Sequence, residues 1–195
     1  MKYKYLLTCL FIVKLLSSCN FHDATNVEKL TDKRTEFNLF DISQFSAYVF
    51  EQKFSDLMKD TIMNNDFNVI QLKEESEGVE WDIIYLKSKE KILCTIENSW
   101  EDSSLVSRIS FYSPKFYTHD KITTESEFKD VSRVIKLADL NSSNDGSLAF
   151  IDSTDSAIAY CYDVSNNEKL YYGIKSLKDV PNNLHMTSIV VNKKK

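Results

Sequence analysis

The sequence predicts an α+β fold: an antiparallel sheet of about six to eight strands with two helices packed against it. Three observations carry this. Short apolar runs with period-two alternation recur in two stretches, from Phe67 to Phe111 and from Leu148 to Val191. Two other segments repeat apolar residues every three or four positions, and each opens on a capping signature. The chain has 195 residues but only three glycines and two prolines. Its turns must therefore rely on Asn, Asp and Ser, whose side chains bond the local backbone.

The first helical pattern covers residues 42–58. Asp41 and Gln44 form a capping pair, and Ile42, Phe45, Val49, Phe50, Phe54, Leu57 and Met58 build an aromatic-rich face suited to a core. Strands follow. Phe67–Lys73 is one; Val79, Trp81, Ile83 and Tyr85 line one face of a second; Ile92, Cys94 and Ile96 line one face of a third. Ile109 and Phe111 mark a fourth, with Arg108, Ser110 and Tyr112 pointing the other way and Pro114 ending it. On this reading Trp81 belongs to the core, and Trp100, at a strand end, is the freer indole. The second helix starts after Thr124, paired with Glu127, and presents Phe128, Val131 and Ile135. Asn141–Gly146 reads as a loop. Four apolar runs complete the chain: Leu148–Ile151, Ala157–Tyr162, Leu170–Ile174 and Met186–Val191, with Leu177–Val180 a helical turn stopped by Pro181.

The N-terminus has a different character. Lys2 and Lys4 precede the uncharged apolar run Leu6–Val13, the layout of an export signal. A membrane-spanning helix needs about 20 apolar residues, and here Lys14 interrupts the run. Leu16-Ser17-Ser18-Cys19 then supplies an aliphatic residue, two small residues and a cysteine. This resembles the lipobox of a bacterial lipoprotein. The resemblance implies that residues 1–18 are a cleaved signal peptide and that Cys19 carries acyl chains (palmitate among them) that anchor the protein to a membrane. Residues 19–36, polar and without an apolar face, then form a flexible tether, and residues 37–195 a single domain. Asn20 in place of Asp after the lipidated cysteine favours the outer over the inner membrane, in the periplasmic cell envelope.

The second half carries a further resemblance. Ile109-Ser110-Phe111-Tyr112-Ser113, Tyr117-Thr118, Ile122, a helix after Thr124 and a closing Thr187-Ser188-Ile189-Val190-Val191 follow one plan. It is similar to that of the C-terminal half of a group of small, uncharacterised envelope lipoproteins: strand, Tyr-x-Thr turn, glycine-containing segment, helix and β-meander. Lys121 and Thr124 stand where that plan has glycines. The resemblance implies the fold and carries no activity with it.

Charge narrows the partners. Losing Lys2, Lys4 and Lys14 takes the formal net charge from −5 to −8. So acidic a chain argues against nucleic acid or a bare anionic surface and leaves room for a basic protein partner. Of four cysteines, Cys9 leaves with the signal and Cys19 is acylated, leaving Cys94 and Cys161 as a candidate disulfide in an oxidising compartment. For metal, Asn141–Asp152 loosely follows a calcium loop, with Asn141, Ser143, Asp145 and Asp152 as ligands. A neutral first ligand, a short last one and only two carboxylates make a helix-to-strand turn the better reading. His22, His119 and His185 fall in no catalytic motif, and no pattern calls for a cofactor. Glu74-Glu75 and Glu101-Asp102 read as solvated turns. Trp81 and Trp100 are candidates to stack sugar rings, and Tyr112, Tyr117, Tyr160 and Tyr162 candidates for an aromatic surface. The sequence thus favours a non-enzymatic binding or interaction module anchored in the envelope. An envelope hydrolase without a recognisable motif is the alternative.

Overall fold

The computed structural model describes residues 38–142, 147–165, 167, 170 and 177–194. Helix α1 (Ile42–Phe50) begins where the capping pattern places it: Asp41 Oδ1 accepts from the backbone N–H of Ser43 at 3.0 Å and of Gln44 at 3.1 Å. The reciprocal half of the box goes elsewhere, since Gln44 Oε1 accepts from Asn38 N at 2.8 Å. The helix ends at Phe50, which corrects the expected span of 42–58. Lys53 bridges to Leu105, and Phe54 N donates to Ser104 O at 2.8 Å, so the chain is drawn off its helical path towards a neighbouring loop. Two short helices follow, α2 (Phe54–Leu57) and α3 (Thr61–Asp66), the second capped by Asp60, which accepts from Met63 N at 2.9 Å.

Among the described residues, eight strands form one sheet. They are β1 (Asn68–Ser76), β2 (Val79–Ser88), β3 (Lys91–Asn98), β4 (Val106–Phe111), β5 (Leu137–Ser142), β6 (Ser147–Asp152), β7 (Ile158–Asp163) and β8 (Met186–Asn192). Their spatial order is β1-β2-β3-β4-β8-β7-β6-β5, with every neighbouring pair antiparallel. The α+β class and the antiparallel meander are as the sequence predicts. Strand β5 is an addition: Leu137–Ser142 pairs with β6 where the sequence reading has the end of a helix and the start of a loop. Of the expected run Leu170–Ile174, only Leu170, which is buried, lies among the described residues. The β1–β2 hairpin turns on Glu77 and Gly78, both at positive φ (54° and 79°), the pattern of a type I′ turn.

Helix α4 (Phe128–Val134) presents the predicted face of Phe128, Val131 and Ile135, all buried. Its cap sits three residues later than the sequence signature suggests. Glu127 is the N-cap, and Asp130 returns the bond, Oδ2 accepting from Glu127 N at 3.3 Å. Residues 177–179 form the expected short helical turn ahead of Pro181.

Register divides the sheet into two faces. Leu86, Cys94, Phe111, Ile189, Tyr160 and Phe150 form one continuous row across six strands, and all are buried. On this face α1 brings Phe45 edge-on to Phe111, with ring centroids 5.7 Å apart, and α4 brings Phe128 to Phe150 at 5.1 Å and Tyr162 at 5.9 Å. Phe116, in the loop after β4, joins Phe40, Phe45, Phe67 and Phe111, its ring 4.8–6.1 Å from each of theirs. The core therefore has two aromatic centres, one under α1 and one under α4.

The rows also decide the cysteine question. Cys94 lies on β3 and Cys161 on β7, with β4 and β8 between them, about 14 Å apart by strand spacing alone. A disulfide needs Cα atoms within about 7 Å. Cys94 shares its row with Tyr160, so Cys161 also points to the opposite face. The candidate Cys94–Cys161 disulfide does not form.

Candidate functional site

The face opposite the helices follows from the same alternation. One row crosses it as Leu72, Ile83, Glu97, Arg108 and Asn192, and the next as Ile70, Tyr85, Thr95, Ser110, Val190 and Ala159. Trp81, two residues before Ile83, belongs to this face, which corrects its assignment to the core. The segment Ile83-Ile84-Tyr85-Leu86 is apolar on both sides, and the fully buried pair is Ile84 and Leu86. Polar contacts tie the face together. Tyr85 donates to Glu74 Oε1 at 2.6 Å, and the hydroxyls of Thr95 and Tyr112 meet at 3.4 Å. Burial, then the bond and charge of Glu74, pushes the Tyr85 phenol up to about 12.

At one end of this face stands Trp100, at 74% the most exposed large apolar side chain among the described residues. Its position is built by the β3–β4 loop. Ser99 N donates to Leu105 O at 2.8 Å, and Ser99 Oγ accepts from Glu101 N at 3.2 Å. Asp102 Oδ1 accepts from Ser104 N at 2.9 Å and Ser104 Oγ at 2.7 Å, bonds that lower its carboxyl pKa. The Trp100 indole lies against Trp81, centroids 6.3 Å apart and planes tilted by 34°. The Nε1 of Trp81 is buried and meets no described hydrogen-bond partner.

Beside the indoles lies an ion pair. Arg108 donates through Nε to Glu97 Oε1 at 2.9 Å and through Nη2 to Glu97 Oε2, a two-pronged contact. The Glu97 side chain is almost wholly covered, that of Arg108 about half. Burial by itself would lower the Arg108 pKa; the bond and charge of Glu97 outweigh it and raise it. Trp100, Glu97, Arg108, Ser99, Glu101 and Asn192 line a groove of about 440 Å³, together with Lys193 and Lys194. The two lysines are engaged: Lys193 Nζ donates to Phe50 O at 3.1 Å, and Lys194 Nζ pairs with Asp155 at 3.1 Å. A second groove, about 360 Å³, runs between α1 and the ends of β7 and β8, where the Ser46 hydroxyl is buried with no described partner.

The other sequence candidates are dispersed. Tyr160 and Tyr162 are fully buried, and burial raises the pKa of both phenols. Tyr117 is half-buried, bonded to Asn38 Nδ2, with Lys121 Nζ 4.1 Å from its ring centroid. Lys121 stands where the resembling lipoproteins have a glycine, and its φ of 62° is the left-handed conformation that favours one. His119 and His185 are exposed, and neither lines either groove. Asp152 Oδ1 accepts from Thr154 N and Oγ1, both at 2.7 Å, and so closes a turn. Asn141 pairs with Ala149, three residues and about 10 Å from Asp152, so the hairpin holds apart the first and last ligands of the calcium-loop candidate. Ser143, Asp145, the segment 1–18, Cys19 and the tether 19–36 lie outside the described residues. Among the described residues no three His, Cys, Asp or Glu side chains gather to hold a metal ion, and no helix is long and apolar enough to cross a membrane.

Glu97, Arg108 and Asn192 are the site residues that sequence reasoning passes over. Arg108 is placed on the outward face by alternation, but Glu97 reads as the start of a turn, and Asn192 is adjacent to Arg108 only through the β4–β8 pairing. No family model matches the sequence, and no curated protein does. A solved structure described as the uncharacterized protein yfeY from Escherichia coli is similar, with a TM-score of 0.51 over 68% of this chain and 86% of that one, at 11% identity. At that identity the likeness is one of fold: the sheet and helices of this chain follow an arrangement already seen in yfeY.

Proposed function

We propose that this chain is a lipoprotein of the cell envelope, anchored through acylated Cys19, whose folded unit is a non-enzymatic binding module. The anchoring half of the reading is supported by Leu16-Ser17-Ser18-Cys19 behind a correctly charged apolar run. The binding half is carried by one observation: an indole left 74% exposed and held in place over a groove on the sheet face opposite the helices. Covering the remainder of that side chain would return roughly 3–4 kcal/mol at about 25 cal/mol per Å². Tyr112 and Leu72, also exposed, extend the apolar area on the same face, and aromatic anchors of this kind dominate binding surfaces.

Two experiments test the halves separately. Metabolic labelling with palmitate should mark the parent protein and not Cys19→Ser, which should leave the membrane fraction; label-free membrane attachment of the parent would refute the anchor. Photo-crosslinking in intact cells, with the reactive group at Trp100 or Tyr112 and control positions at Lys129 or Ser132 of α4, should give discrete adducts from the sheet face alone. Equal or empty patterns from both faces would refute the binding surface.

A further inference from the structure

From the groove beside Trp100 we infer a ligand class: a neutral saccharide of one or two rings, stacked on the indole and hydrogen-bonded to the Glu97–Arg108 pair. This rests on the sheet face being a binding surface and goes further in saying what binds there.

The chemistry of the lining selects the ligand. Every cation at the groove already has an oxygen partner: Arg108 has the Glu97 carboxylate, Lys194 has Asp155, and Lys193 has the carbonyl of Phe50. Counting Asp155, the three cations at the groove meet three carboxylates, Glu97, Glu101 and Asp155, so an anionic ligand finds no excess of positive charge. By the same balance a cationic ligand finds no excess of negative charge. What remains open are the unused N–H groups of the half-exposed guanidinium, the small uncovered part of the Glu97 carboxylate and the carboxylate of Glu101, a mixed array of donors and acceptors. Asn192, next to Arg108 in register, adds an amide with one of each. Hydroxyl groups, which donate and accept at once, match such an array; neighbouring hydroxyls of a sugar ring match it at two points.

Trp100 brings its indole to the lining, beside Leu105 and Val106. It suits the C–H face of a pyranose, which is apolar and flat while the ring edge is hydroxylated. Trp100 is held by Trp81 and by the bonded loop from Ser99 to Leu105, so little side-chain freedom is lost on stacking. A volume of about 440 Å³ falls within the range of small-ligand sites and accepts a mono- or disaccharide. A proline-rich peptide also stacks on aromatic grooves, but it offers few hydroxyls to the charged floor.

The chain's two tryptophans are Trp81 and Trp100, so tryptophan-selective fluorescence reports on this site alone. The full chain, in a detergent without a sugar headgroup, is titrated with cellobiose, with N,N′-diacetylchitobiose and with a proline-rich peptide. The expected result is a saturable spectral shift with at least one disaccharide. Trp100→Ala should weaken binding roughly tenfold or more, and Arg108→Lys, which keeps the charge and loses the fork, about tenfold. A calorimetric titration follows Trp100→Ala, whose melting temperature should stay at the parent's value because the side chain is exposed. No saturable shift with either disaccharide, binding unchanged in Trp100→Ala, or a shift with the peptide alone would each overturn the saccharide. If crosslinks at Trp100 persist in that case, the binding surface stands with a different occupant; if they are also missing, both readings fall.

Discussion

At the scale of single residues, the Glu97–Arg108 pair separates stability from surface charge. Removing Arg108 leaves a nearly covered carboxylate without its partner, a loss of about 2–4 kcal/mol. Lys73 and Glu80 are also paired, at 3.4 Å, but both are well exposed, and Lys73→Ala should cost at most about 0.5 kcal/mol. Parallel denaturant titrations of Arg108→Ala and Lys73→Ala measure the contrast, and equal midpoints would contradict it. Tyrosines set the alkaline limit. Tyr48, through burial and then its bond to Asp60, and Tyr85, through burial and then Glu74, are pushed up to about 12 from an ordinary value near 10. A raised folded pKa means that the fold prefers the neutral phenol. Their contribution is complete below about pH 10 and is lost as pH rises through about 12. In an absorbance titration of tyrosinate, a late class of tyrosines should therefore ionise together with the loss of folded structure. Ionisation of all tyrosines near pH 10 with the fold intact would count against this.

At the scale of elements, what the sequence reveals depends on whether local chemistry or distant contacts decide. The start of α1 is local: Asp41 caps its own turn. Its end is not, because the Lys53 and Phe54 contacts that draw the chain aside come from Ser104 and Leu105, half a sheet away in sequence. Alternation locates β2 but cannot orient it, since Ile83, Ile84, Tyr85 and Leu86 offer apolar groups to both faces; this is how Trp81 was misassigned. Strand β5 carries Asp139, Asn141 and Ser142 and looks like a loop, and pairing with β6 makes it a strand. Phe116 was legible only as a residue after Pro114, although it is the hub of four other rings. The first hairpin offers a test at this scale. Glu77 holds φ 54° in a turn whose partner residue is already glycine. Glu77→Asn should stabilise the protein by up to about 1 kcal/mol, since Asn tolerates the left-handed region; a lower melting temperature would show that Glu77 makes a compensating contact.

At the scale of the whole molecule, the fold class was readable because two helical periods and many short alternating runs admit few layered arrangements. The site was readable only in part. Trp100 was singled out as the freer indole, whereas the Glu97–Arg108–Asn192 row exists only once strands from three parts of the chain lie side by side. Whether Cys94 and Cys161 could pair was illegible for the same reason: spacing along the chain carries no information about strand order. The sheet has two faces of different character. One is filled by aromatic rings beneath α1 and α4, and the other carries polar pairs and exposed indole.

The position of β8 has a further consequence, for the order in which the protein can assemble. The last strand in sequence is a central one in space, pairing with β4 on one side and β7 on the other. Strands β1–β4 and β5–β7 are each zipped by neighbours close in sequence, and among the described strands β8 alone joins the two sets. Until the residues from Met186 onward have arrived, each set keeps an unpaired edge, at β4 and at β7. A chain crossing a membrane N-terminus first would thus keep these two sets of strands unjoined until β8 emerged. Deleting residues 186–195 should abolish cooperative unfolding, seen as loss of a single calorimetric transition, where trimming an outer strand would only lower its midpoint. A shortened chain that still melted in one sharp transition would show that the two sets associate without their shared strand.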